Sequence, residues 1–156
     1  LRGHKPEFLV TNVADFERKY DGFDLATKLK DQVAFKADTV VVAIGENVPA
    51  LKSDEAKAKF KESVVKLLAL LKGEGKTALY VRSCFWADAA KDVVLKEACT
   101  TAGGVFVDIS TLAKDEANYA RSERKIEHEG VARHPGDRGM KAIADAILAA
   151  ITKTGK

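Results

Sequence analysis

Short apolar runs alternate with segments of helical periodicity along this chain. The runs are rich in β-branched residues and predict strands over 8–13, 38–44, 77–81 and 105–109. Apolar residues at helical spacing predict helices over 24–35, 54–72 and 87–101, and a final helix from 137 onward. Continuously apolar strands are typical of a parallel sheet that helices cover on both faces. The pattern therefore predicts a single α/β domain over 1–156 with a three-layer α/β/α arrangement.

In a parallel sheet, ligands and chemistry gather beyond the carboxyl ends of the strands. That rule selects the segments 12–16, 45–47 and 83–86, and the residues from Ser110 onward. The charged stretch 111–133 is longer than a compact connection needs, so we interpret it as a short extra helix or as a functional loop that leads to His134. A solvated charged helix is the alternative.

His134 is the first candidate functional residue. Pro135 fixes its own φ and pushes His134 toward an extended conformation, so the imidazole is expected on a stiff loop. Asp137 then places a negative charge at the start of the next helix. The apolar face predicted for that helix consists of Met140, Ile143, Ala144, Ile147, Leu148 and Ile151. A surface histidine beside a packing helix is the alternative interpretation.

The second candidate is Asn47, which follows the strand predicted over 38–44. Gly45 allows a sharp turn at the end of a buried strand, and Asn47 then carries an amide at the carboxyl edge of the sheet. An amide N–H that points into a cleft is a good donor for a developing oxyanion. Gly and Asn are also the ordinary residues of any turn, so turn chemistry is the alternative.

Composition narrows the possible partners. The chain has 46% hydrophobic and 31% charged residues, with a formal net charge of +3 and the two signs interspersed. This balance gives no reason to expect nucleic acid or an anionic membrane as a partner. No apolar run approaches the roughly 18 residues of a membrane span. Cys84 and Cys99 lack a metal or redox spacing, so we expect two buried thiols, no metal and no cofactor.

The two candidate stretches together resemble the SGNH (GDSL-type) hydrolase family. The first is a strand that ends in Gly45-Glu46-Asn47, and the second is a late His134-Pro135 before an apolar helix. The resemblance covers 8–151 in element order. It implies a flavodoxin-like fold and ester hydrolysis by a Ser, a Gly, an Asn and a His. It further implies that Asn47 is an oxyanion donor, that His134 is the general base, and that the substrate is a small-molecule or carbohydrate ester.

Departures from the family pattern concern the nucleophile and its helpers. The Gly-Asp-Ser turn is missing, and Ser53, Ser83 and Ser122 are not expected to replace it. Where the family has a glycine as second oxyanion donor, the chain has Ala14-Asp15, either of which offers a backbone N–H.

The acid that the family usually places three residues before the histidine is also missing, because Val131 occupies that position. Glu129 is the nearest upstream carboxylate, and a backbone carbonyl is the other candidate to orient the imidazole. Trp86, after the third predicted strand, is a candidate for the pocket wall.

A flavodoxin-like sheet has the strand order 2-1-3-4-5. If 8–13 and 38–44 are its second and third strands, the strand between them is missing from this chain, which leaves either a gap or a rearranged direct pairing. We therefore expect a serine ester hydrolase whose nucleophile lies on a segment absent from this chain, with the chain inactive alone. The alternative is a non-catalytic α/β domain that binds a small ligand or a protein partner.

Overall fold

The structure, a computed structural model, describes residues 5–74 and 77–155. It is an α/β fold with a small parallel sheet. The strands are β1 (Thr39–Val42), β2 (Ala78–Arg82) and β3 (Val105–Val107). The α-helices are α1 (Ala14–Arg18), α2 (Leu25–Lys28), α3 (Lys30–Phe35), α4 (Asp54–Lys72), α5 (Ala89–Thr101), α6 (Glu129–Ala132) and α7 (Asp137–Thr154). Short 3-10 helices span Leu112–Lys114, Glu116–Asn118 and Ala120–Ser122.

Strand β2 lies at the centre of the sheet, in the order β1-β2-β3. Its alternate side chains enter two separate hydrophobic clusters, because successive residues of a strand point to opposite faces. Leu79 and Val81 pack with α4 and α5, whereas Ala78 and Tyr80 pack with α7. The prediction of a strand covered on both faces is confirmed for β2.

The same prediction is wrong for β1. Val42 is buried against the cluster of α4 and α5, but Val41, on the opposite face, is 43% exposed. Among the described residues β1 pairs with β2 alone, so it is an edge strand. Its apolar sequence matches a central strand, but its place in the sheet is peripheral.

Residues 8–13 do not form the predicted strand. Phe8 is 80% and Val10 92% exposed, and the segment runs beside β1 without pairing to it. The β-branched pattern needs a neighbouring strand to become a strand, and none of the described residues provides one here. A cleft of about 430 Å³ separates the segment from β1. We call this cleft the β1 groove; Phe8, Leu9 and Val10 line one wall and residues 39–44 the other.

The helix predicted over 24–35 is broken in two. Asp24 caps α2 by accepting a hydrogen bond from the Thr27 N–H, but Leu29 leaves the helical conformation at φ −114° and separates α2 from α3. In contrast, α4 begins and ends as predicted: the Ser53 side chain accepts from the Ala56 N–H, and Gly73 follows the last turn.

Helix α7 buries only part of its predicted apolar face. Ile143 is buried, and Ile147 and Ile151 pack against the same cluster as Tyr80. Met140 and Leu148, which were predicted on that face, are more than half exposed. An apolar ridge therefore remains uncovered on this helix.

Candidate functional site

The turn after β1 is built around Gly45. Its φ is +123°, a backbone conformation that residues with a Cβ rarely adopt. A Cβ at this position would also collide with the sulfur of Cys84, which follows β2. Gly45 thus lets the ends of β1 and β2 approach each other closely. Burial raises the pKa of the Cys84 thiol, so the group stays protonated and unreactive.

A mostly buried ion pair joins the same two strand ends. The Arg82 Nη1 donates to Glu46 Oε1 at 2.7 Å, and both side chains are largely shielded from solvent. The same oxygen accepts the Phe85 N–H at 3.0 Å. Arg82 also donates to the Ser83 carbonyl. Glu46 precedes Asn47 in the sequence, so its contacts link the turn of Asn47 to the segment that carries Phe85 and Trp86.

Asn47 is exposed, but a buried carboxylate holds its side chain. Glu17, on α1, accepts from Asn47 Nδ2 at 2.8 Å and from the Asn47 N–H at 3.1 Å. The Gly45 N–H donates to Glu17 as well, at 2.7 Å. The carboxylate thus binds α1 to the turn after β1.

The two residues considered as second oxyanion donors start α1. The Ala14 N–H donates to the Asn12 side chain at 2.8 Å and so serves as part of the local turn. This leaves the Asp15 N–H as the remaining candidate of the pair. Helix α1 itself was not predicted, because its five residues are too short to show a helical period.

The loop of His134 is fixed by its backbone. The Ala120 N–H donates to the His134 carbonyl, and the Gly136 N–H donates to the Asn118 carbonyl, each at 2.9 Å. The stretch 111–133, which was predicted as a short extra helix, a functional loop or a solvated charged helix, consists of three 3-10 helices followed by the short helix α6. Its backbone holds the histidine loop, with a bridge between Tyr119 and Pro135.

The imidazole of His134 has two neighbours that define its orientation. Nδ1 lies 2.7 Å from the Gly130 carbonyl oxygen, and the ring packs edge-on against Trp86 with centroids 5.1 Å apart. A carbonyl oxygen only accepts, so Nδ1 carries the proton and the neutral ring has its lone pair on Nε2. That tautomer is the one a general base requires.

Glu129 does not orient the imidazole in this structure. Its carboxylate accepts from Arg133 Nε at 2.8 Å on the exposed surface. Of the two orienting groups left open by the sequence, the backbone carbonyl is the one in contact with His134.

The serines named in the sequence have other partners. Ser53 caps α4, and the Ser122 hydroxyl donates to the Glu116 carbonyl. Ser83 is fully buried, and its oxygen accepts the Ile109 N–H at 2.8 Å. Hydrogen bonds from Ser110, with a further one from Ser83, hold the pKa of Asp108 below its usual range. The contacts of Ser83 join the end of β2 to the residues that follow β3.

The segments that follow β1 and β2 meet at the carboxyl edge of the sheet. His134 contacts Trp86; the Phe85 N–H beside it donates to Glu46, and Glu46 precedes Asn47. Sequence reasoning missed Glu17. A carboxylate two residues after Asp15 gives no local signal of a contact with residues 28 to 30 positions later in the chain.

No protein-family model, curated protein or solved structure matches this chain. In the described part of the chain, no helix has both the length and the apolarity needed to cross a membrane.

Proposed function

We propose that this chain is part of a serine ester hydrolase of the SGNH type. The supporting observation is the arrangement at the carboxyl edge of the sheet, where a histidine has Nδ1 on a carbonyl and an asparagine has its amide held in place. The open β1 groove reaches Ile44, three residues before Asn47. The serine comes from a segment outside the 156 residues. We place that segment as a strand in the groove, which completes a flavodoxin-like three-layer fold.

The position of the groove supports this placement. An omitted central strand would leave an open lane beside β1, because neighbouring strands lie about 4.8 Å apart. One wall of the groove is the free edge of β1, which presents N–H and C=O groups to an incoming strand. The carboxyl end of a parallel strand in this lane reaches the edge that carries Asn47.

The proposed reaction is acyl transfer to water. The serine oxygen attacks the ester carbonyl, while His134 Nε2 accepts its proton and then returns it to the leaving alcohol as the C–O bond breaks. Water then attacks the acyl-serine by the same proton transfers. Asn47 Nδ2 and the Asp15 N–H stabilise the tetrahedral oxyanion, and Trp86 forms one wall beside the base. Small-molecule or carbohydrate esters are the proposed substrates.

A non-catalytic α/β domain that binds a small ligand or a partner is the second candidate. The observation in its favour is that the serines discussed above are engaged in caps and buried contacts. In that case the same edge binds a ligand but turns nothing over.

The deciding experiment uses the full-length protein and p-nitrophenyl acetate. His134→Ala is expected to lower kcat/KM by on the order of a thousandfold or more while the protein stays folded. His128→Asn is the matched control, because asparagine preserves the cap that His128 provides to α6. A fluorophosphonate should label a serine outside these 156 residues. Full activity in His134→Ala, or no turnover and no labelling in the parent protein, would rule out this proposal.

A further inference from the structure

The carboxylate of Glu17 lies beneath the turn that carries Asn47. Glu17 is only 5% exposed, and a buried carboxylate needs hydrogen bonds to compensate the loss of water. Its three donors all belong to one turn: the Gly45 N–H, the Asn47 N–H and Asn47 Nδ2. The buried carboxylate therefore binds one short segment, the turn that carries the candidate oxyanion donor Asn47.

This contact decides which end of the Asn47 amide faces which way. An ionised carboxylate only accepts hydrogen bonds, so the Nδ2 end must face Glu17, and a flipped amide would place two oxygens 2.8 Å apart. The Oδ1 end then points toward Arg18 Nη2, which lies at 3.5 Å. Nδ2 carries two hydrogens, and Glu17 takes one of them. The other is available to a substrate oxygen.

We infer that Glu17 is a positioning residue, which holds the Asn47 carboxamide in the orientation of an oxyanion donor. The role given to Asn47 rests on the proposed function, whereas the contact between the two side chains does not. A purely structural Glu17 would only tie α1 to the turn after β1. The two roles differ in their effect on the Asn47 side chain and on kcat.

The first test is a spectroscopic one on the full-length protein. The side-chain NH₂ signals of Asn47 are assigned by their loss in Asn47→Ala. In Glu17→Gln these signals and the Gly45 amide signal are expected to shift upfield, because the charge-assisted acceptor is lost. Glu62→Gln, the same change on the exposed face of α4, should leave them in place. Unchanged Asn47 signals in folded Glu17→Gln would overturn the inference.

Should Glu17→Gln fail to fold, the exchanged pair provides a second test. Asn47→Asp alone sets two carboxylates against each other and is expected to lower the Tm more than Asn47→Ala does. Combined with Glu17→Gln it restores a donor and an acceptor with their positions exchanged, and much of the Tm should return. Additive losses in the combined variant would contradict the contact.

Kinetics separates positioning from simple anchoring. Glu17→Gln is expected to lower kcat on ester by on the order of tenfold with KM nearly constant, against on the order of a hundredfold for Asn47→Ala. Because Glu17 acts through Asn47, the double variant should be no slower than Asn47→Ala. A full additive loss would overturn the positioning role. Intact turnover in both Asn47→Ala and His134→Ala would instead reject the proposed function, and the spectroscopic test of the contact would still stand.

Discussion

The histidine loop and the β1 edge differ in how fully the rest of the described chain contacts them. The loop of His134 is held by backbone hydrogen bonds and 3-10 turns, and its imidazole contacts the Gly130 carbonyl and the Trp86 ring. Along β1, Val41 is exposed and the groove separates the strand from Phe8 and Val10. The histidine loop is held on several sides, whereas the outer edge of β1 has no paired strand among the described residues.

The difference shows which parts of a site a chain can build by itself. His134 is held mainly by segments that are close in sequence, from Leu112–Lys114 to the start of α7, and in addition by Trp86, which follows β2. The amide of Asn47 is held by Glu17, which lies on α1, 30 residues earlier in the chain. Under the proposed function, a strand that completes the open side should therefore affect the groove more than it affects the histidine.

The largest expected effect on stability comes from comparing the same Leu→Ala substitution at a buried and at an exposed position. Leu95, on α5, is fully buried in the hydrophobic cluster that also contains residues of β2 and α4, whereas Leu148, on α7, is 55% exposed. Leu95→Ala is expected to reduce the free energy of unfolding by about 2–5 kcal/mol, because it removes a well-packed side chain and leaves a cavity. Leu148→Ala should change it by less than about 0.5 kcal/mol. Urea denaturation of the 156-residue chain measures both values.

The comparison becomes sharper when the groove is occupied. If a segment covers the β1 edge in the full-length protein, Val41→Ala should cost more there than in the isolated chain. Equal costs in both proteins would show that Val41 stays exposed and would argue against a docked segment.

The next effect concerns the ion pair that joins the two strand ends. Arg82→Met leaves the largely buried carboxylate of Glu46 without its cation and is expected to cost roughly 3 kcal/mol of unfolding free energy. Lys66→Met, which removes an exposed partner of Glu62, should cost about 0–0.5 kcal/mol. Thermal and urea unfolding provide the values.

The same pair allows a check by double substitution. Arg82→Met with Glu46→Leu removes both charges, so no buried carboxylate remains unpaired and part of the stability should return. If the double variant loses the sum of the two single losses, the side chains are not coupled as the 2.7 Å contact indicates.

Elements with strong local signals could be predicted from the sequence. Ser53 and Gly73 mark the two ends of α4, and the unbroken apolar run of β2 reflects burial on both faces. The meeting of the segments after β1 and β2, which carry Asn47 and Trp86, followed from a rule on parallel strands and not from local sequence.

Other features depend on partners that no local pattern reveals. Residues 8–13 have the composition of a strand, but a strand exists only when a neighbour accepts its hydrogen bonds. Glu17 looks like a surface carboxylate on a short polar turn until the chain returns with Gly45 and Asn47. The apolar face predicted for α7 was wider than its contact surface, because hydrophobic spacing records what a helix can bury and not what covers it.

The smallest expected effect on stability concerns the contact between Glu123 and the start of α7. Glu123 accepts the Arg138 N–H at 2.7 Å and the Asp137 N–H at 2.8 Å, so it caps the helix just after the histidine loop. Gly136 leaves room for this contact, since a Cβ there would overlap the carboxylate. These two backbone hydrogen bonds lower the pKa of Glu123 from its ordinary value, and the bond from Arg138 has the larger effect.

The sign of the pH dependence follows from that direction. A carboxyl group whose pKa is lower in the folded than in the unfolded state adds stability above the unfolded pKa of about 4.3, and the contribution is lost as the pH falls through the folded pKa. Glu123→Gln should therefore melt below the parent protein at about pH 7, and the difference in Tm should disappear toward about pH 3. Hydrogen exchange at Arg138 should speed up in the variant at neutral pH, because its amide loses a charged acceptor. A Tm difference that is the same at every pH would mean that the carboxylate charge does not hold the helix, and that the histidine loop depends on the 3-10 turns alone.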